Sequence, residues 1–182
     1  MGMVAPTYHT ADMVRALPDD GNRYEVVHGE LLVTPAPRAL HQLALQRLLL
    51  ALGNYLEREP VGLLLASPAD ISWGPDILVQ PDLFVADLAE ARTLDWRRMQ
   101  TLLLAVEVLS PSTARADRFT KRRLYQEHGV ALYWLVDPEA RGIEVWTPAA
   151  TFPTMERERV TWHPAGAGEA FALDVEQLFR PV

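Results

Sequence analysis

Leu102-Leu103-Leu104-Ala105-Val106-Glu107-Val108-Leu109 decides the fold of this 182-residue chain. An almost unbroken apolar run of this length reads as a strand covered on both faces, the kind found inside an α/β sheet. It is far too short to cross a bilayer. Glu107 is the exception within it: a carboxylate in a buried strand is costly unless it is ion-paired or holds a cation.

The same anomaly recurs upstream, in Ile77-Leu78-Val79-Gln80-Pro81-Asp82-Leu83-Phe84-Val85. Asp82 lies within an apolar stretch, Ile77–Ala86, and Pro81 marks an irregular or edge position in it. Two carboxylates on neighbouring strands, facing the same way, form a hard-oxygen site suited to magnesium or manganese. The alternative for either residue is a buried ion pair with arginine or lysine.

Further outward, Tyr24–Val27 and Leu31–Val33 flank His28-Gly29-Glu30 as an N-terminal β-hairpin. From His41 to about Arg58, Leu45, Leu48, Leu49, Leu52, Tyr55 and Leu56 recur at helical spacing, with His41 on the same inward face. A strand is expected at Gly62–Ala66, and a second helix from Asp117 to His128, stopped by Gly129. Ala131–Asp137 and Gly142–Trp146 form another hairpin, opened by Asp137-Pro138-Glu139. Of Tyr133 and Trp134, one packs in the core and the other meets a helix or a neighbouring subunit. Val160–Trp162 and Ala170–Leu173 read as a last strand pair, and Asp174 caps a final helical turn. The expected fold is α/β (α+β), a central mixed β-sheet flanked by helices, in one domain spanning residues 1–182 with a core at about 24–146.

Composition narrows the function. With 49% apolar and 23% charged residues the chain is globular, and with no cysteine it has neither disulfides nor thiol chemistry. Asp12 and Arg15 interrupt the N-terminal segment where a signal peptide needs an apolar core, so a cytoplasmic location and no membrane association are expected. The net charge of −7 repels nucleic acid, so any such binding must come from a local patch. Arg115, Arg118 and Arg122, with Lys121 and Arg123, supply a basic run suited to phosphate; its plainer reading is a solvated helix face balanced by Asp117 and Glu127. No phosphate-cradling glycine loop is present, and no organic cofactor is expected.

The order of helix, strand with Pro-Asp, strand with Glu, and helix resembles the PD-(D/E)XK nuclease superfamily. More narrowly, Tyr24–Leu31, His41-Gln42, Gln80-Pro81-Asp82, Glu107-Val108-Leu109-Ser110-Pro111-Ser112-Thr113, Asp117 with Lys121 and Tyr125, and Gly129-Val130 leading to Tyr133–Pro138 are similar to the "putative restriction endonuclease" (Uma-two) family. The resemblance implies a restriction-endonuclease-like core and metal-dependent hydrolysis of phosphodiester bonds in DNA. The superfamily pattern wants lysine two residues after the strand acid, where this chain has Leu109, and the resemblance implies that Lys121 of the following helix replaces it. Asp82, Glu107 and Lys121 are then the catalytic set, with magnesium or manganese on Asp82, Glu107 and the main-chain carbonyl of Val108. Glu30, His41 and Asp117 are supporting candidates, each with a plainer role: a solvated hairpin glutamate, a core histidine, and a helical partner for Lys121. If the two carboxylates repel each other, removing either relieves strain. Cutting both strands of a duplex needs two sites, so a homodimer is expected. The rival reading is a non-catalytic nucleic-acid-binding or protein-interaction module on the same scaffold.

Overall fold

The computed structural model of the chain describes residues 7–182. Helix α1 (Ala11–Arg15), capped by the Thr10 hydroxyl, was not anticipated; it buries Ala11 and Val14 against Val26 and Leu78. Strands β1 (Arg23–Val27) and β2 (Glu30–Thr34) pair with Val27 opposite Glu30, leaving His28 and Gly29 as the turn. Both have positive φ, 50° and 81°, which matches the twist of a two-residue hairpin.

Helix α2 (Ala39–Arg58) buries His41, Ala44, Leu48, Leu52, Tyr55 and Leu56, while Leu49, one step round the helix, faces outward. After β3 (Gly62–Ala66), the short β4 (Ile71–Gly74) was also unforeseen. The stretch read as one strand over Ile77–Ala86 is two, β5 (Ile77–Val79) and β6 (Leu83–Asp87), with helix α3 (Leu88–Ala91) following. The break falls at Gln80-Pro81-Asp82, where Pro81 has no N–H to continue a ladder. The Ser67 hydroxyl donates to the carbonyls of Gln80 and Pro81, at 3.0 and 2.7 Å, and the Gln80 amide donates to Glu25 Oε1 at 2.7 Å. The backbone groups freed by the break are thereby satisfied.

Strand β7 (Leu102–Val108) leads to a π-helical segment, Ala116–Lys121, that runs into α4 (Arg122–Glu127). Next come β8 (Tyr133–Asp137), β9 (Gly142–Trp146), β10 (Thr154–Glu156), β11 (Arg159–Trp162), β12 (Phe171–Asp174) and α5 (Val175–Leu178), which Asp174 caps. The central sheet has six strands in the order β10-β9-β8-β7-β6-β3 and is mixed, because β7 and β8 run parallel and the other pairs antiparallel. A second sheet has the order β2-β1-β5-β4, and β11 pairs with β12.

Both faces of the central sheet are covered. On one, Leu83, Val85, Val106, Val108 and Trp134 pack with α2 and β11–β12; on the other, Phe84, Ala105, Tyr133 and Leu135 pack with α4 and the second sheet. Tyr133 and Trp134 are therefore both core residues. The register of β6 on β7 sets Leu83 opposite Val106. Glu107, one position further in β7, shares the face of Ala105, and Asp82, just before β6, reaches β7 through the Val108 amide. In β1, Val27 joins that same layer, so Glu25 and Arg23, two and four residues back, point into it as well.

Candidate metal centre

Four carboxylates, of Glu25, Asp82, Glu107 and Asp117, converge in the layer between the sheets, and all are buried. Two cations stand among them. Lys121 Nζ lies 2.8 Å from Glu25, 3.0 Å from Glu107 and 3.3 Å from Asp117. Arg23 donates to Asp82 Oδ1 at 2.7 Å. The second oxygen, Asp82 Oδ2, accepts from the Val108 amide at 2.8 Å and lies 3.1 Å from His41 Nε2. Within a strand, a residue's N–H and C=O leave on the same side, so the Val108 carbonyl also faces Asp82. The Tyr125 hydroxyl donates to Glu107 Oε1 at 3.1 Å.

Local structure sets each of these positions. Asp117, Lys121 and Tyr125 follow at intervals of four along the π-helical segment and α4, and so stack on the inward face. The Arg122 amide reaches back five residues to the Asp117 carbonyl, which also accepts from the Tyr133 hydroxyl at 3.1 Å. Such wide turns recur at functional sites. His41 comes from the first turn of α2, and Asp82 from the strand break.

The two strand carboxylates differ in their electrostatics. Burial pushes Asp82 upward, but the hydrogen bond from His41, the charge of Arg23 and the Val108 amide outweigh it and hold the carboxyl well below its usual range. Burial pushes Glu107 well above the usual range; Lys121 opposes this, while Asp82, Asp117 and Glu25 add to it. Burial also raises Asp117. For Lys121 burial acts downward, yet Glu107, Glu25 and Asp117 raise it well above an ordinary lysine, so it is a fixed ammonium.

A cleft of about 1020 Å³ opens onto one side of this cluster. Asp82, Arg23, His41 and Val108 line it, along with Arg15 and Arg38, whereas Glu107, Lys121, Glu25 and Asp117 lie behind that wall. The donor set fits a divalent ion in kind, since the carboxylates outnumber the cations by two and all donors are hard oxygens. Among the described residues, however, no three acidic or histidine side chains are arranged so that they could hold a metal ion as they stand. Arg23 and Lys121 stand between them.

The structure thus gathers Asp82, Glu107, Val108, Lys121, Asp117 and His41. It does not gather Glu30, which is exposed at the far end of β2. Apart from Lys121, the basic run is also elsewhere. Arg118 pairs with Glu144 at 2.7 Å and Asp137 at 3.0 Å, and Arg122 bonds Gln126 while covering the Trp146 ring at 4.7 Å. Arg115 is exposed and does not line the cleft. The cations of the cleft are Arg15, Arg23 and Arg38 instead. Sequence reasoning missed Arg23 and Glu25, although Glu25 shows the same signal as Glu107, a charge inside the apolar strand Tyr24-Glu25-Val26-Val27.

No helix among the described residues is long and apolar enough to cross a membrane. The fold is similar to that of a crystal structure described as a putative nuclease belonging to DUF820 from Anabaena variabilis, with a TM-score of 0.76 and 20% identity over 94% of this chain and 97% of that one. No curated protein matches. The model of the family described as "Putative restriction endonuclease" (Uma2) matches residues 11–176, nearly the whole chain, which therefore belongs to that family.

Proposed function

We propose that this chain is a metal-dependent nuclease that hydrolyses phosphodiester bonds of DNA, with magnesium or manganese held by Asp82, Glu107 and the Val108 carbonyl. The observation that carries the proposal is a buried excess of carboxylate over cation that reaches a cleft through Asp82. When bound, the ion supplies a Lewis acid for the phosphate and lowers the pKa of water. The residues around it have separable tasks. His41 and the Val108 amide fix the orientation of Asp82 and keep it ionised. Lys121 is held too firmly protonated by its three carboxylates to act as a base, and from behind the cleft wall its fixed positive charge offsets negative charge developing on phosphate. Glu25, Asp117 and Tyr125 hold Lys121 and Glu107 in place. Arg15, Arg23 and Arg38 offer the cleft's phosphate contacts, and a two-fold homodimer would set two such sites against a duplex.

The purified protein is expected to cut DNA only with magnesium or manganese, and Asp82→Asn and Glu107→Gln to abolish cutting while remaining folded. A second reading, a non-catalytic module stabilised by ion pairs, draws on the pairing of Asp82 with Arg23 and of Glu107 with Lys121. A melting temperature that does not change with saturating manganese, together with no cutting, would establish it against the nuclease.

A further inference from the structure

We propose that Arg23 is an exchangeable cation that holds Asp82 until a substrate phosphate draws it away, so that phosphate and divalent metal bind to this site cooperatively. The inference rests on the metal-dependent reading above and concerns how the site fills.

The two cations of the cluster are differently bound. Lys121 has a side chain only 2% exposed and three carboxylates within 3.3 Å, and it lies behind the cleft wall. Arg23 is 20% exposed and lines the cleft, with one close partner, Asp82 at 2.7 Å. Its second carboxylate, Glu25, is 3.9 Å away, and Arg23 Nε is buried with no hydrogen-bond partner among the described residues. It is the first residue of β1, directly after Gly21-Asn22, where Gly21 has a φ of 85°. A planar guanidinium with an unsatisfied donor, at a strand end and facing a cleft, is suited to take a phosphate in its fork.

Asp82 has little else to offer an incoming cation. Its Oδ2 is occupied by Val108 and His41, so a divalent ion must approach Oδ1, where Arg23 sits. Two cations on one carboxylate oxygen repel each other. Phosphate in the cleft removes that conflict by giving the guanidinium another partner, and the departing charge leaves Asp82 open beside Glu107. Linkage then requires the converse: bound metal must tighten phosphate binding by the same factor.

The test is Mn²⁺ binding, followed by the electron paramagnetic resonance signal of the free ion, with and without a cleavage-resistant phosphorothioate DNA oligonucleotide. For the wild-type chain the oligonucleotide should tighten Mn²⁺ binding by about tenfold or more, the ordinary size of such couplings. Arg23→Gln should bind Mn²⁺ tightly without the oligonucleotide and gain little from it; Arg23→Lys, which keeps the charge, should stay weak without it. Wild-type Mn²⁺ affinity indifferent to the oligonucleotide would overturn the coupling while leaving the metal site standing, and does so whether or not the variants fold. Absence of Mn²⁺ binding in every arm would remove the metal-dependent reading and the coupling with it.

Discussion

Replacing Asp82 with alanine is expected to weaken the fold even with all metal chelated. Its side chain is 5% exposed and holds three partners: Arg23 at 2.7 Å, the Val108 amide at 2.8 Å and His41 at 3.1 Å. Removing one member of a buried ion pair costs about 3–5 kcal/mol. Arg23 is one-fifth exposed and can recover some hydration, which sets the expected loss near the lower end, about 3 kcal/mol. For a chain of this size that corresponds to a fall in Tm of roughly 6–12 °C. The assay is urea unfolding in EDTA at neutral pH, read from the midpoint at unchanged slope. The pH dependence gives a second check. A carboxyl held below its unfolded value contributes stability that is complete above that value and lost as pH falls through the folded one. The gap between wild type and Asp82→Ala should therefore hold steady down to about pH 5 and narrow in stronger acid. A variant within about 1 kcal/mol of wild type at neutral pH would show that these contacts do not hold the strand break, and would refute the reasoning.

Glu107→Gln should behave in the opposite way: because burial raises this carboxyl, stability is complete below its unfolded value and lost as pH rises, so the variant should match wild type near pH 4 and exceed it at neutral pH, as urea midpoints in EDTA will show. Lys121→Met leaves Glu25, Glu107 and Asp117 without their shared cation and should cost about 3–5 kcal/mol at neutral pH, less in acid where the carboxylates protonate. Gly29→Ala forces a side chain into positive φ and against the Tyr8 ring, and should lose about 1–3 kcal/mol by thermal melting with metal binding intact.

The opposite behaviour of two carboxylates in one site could not be read from the sequence. Mutual repulsion predicts relief on removing either, whereas the opposite shifts of the two carboxyls lead us to expect it only for Glu107. The difference depends on Arg23 and His41, brought from 59 and 41 residues away, which local pattern does not reveal. Elements with strong periodicity were legible: the hairpin at His28-Gly29, α2, β7, and the pair β8 and β9. Ile71–Gly74 was not, because the alternation of Ile71 and Trp73 spans only four residues before Gly74-Pro75 ends it. Arg118 reads as a free cation until the next hairpin supplies Asp137 and Glu144. Glu25 was passed over because a hairpin strand is ordinarily wet on one face, and here that face is roofed by the central sheet.

The positions where local rules fail coincide in space, and that coincidence bears on function. The strand stops at Gln80-Pro81-Asp82, a π-helical segment carries Asp117 and Lys121, and Glu25 lies buried inside a strand. Each departure has a cost that its neighbours must offset: Ser67 and Glu25 satisfy the break, Tyr133 takes up the Asp117 carbonyl, and Lys121 neutralises Glu25. A core built only for stability would replace such a cluster with apolar side chains, since buried ion pairs are weak contributors against a well-packed hydrophobic alternative. Irregularities scattered by chance would not all border one set of carboxylates. Their concentration around one set of carboxylates beside the cleft is what the proposed metal site, constrained by chemistry rather than by folding, would leave behind.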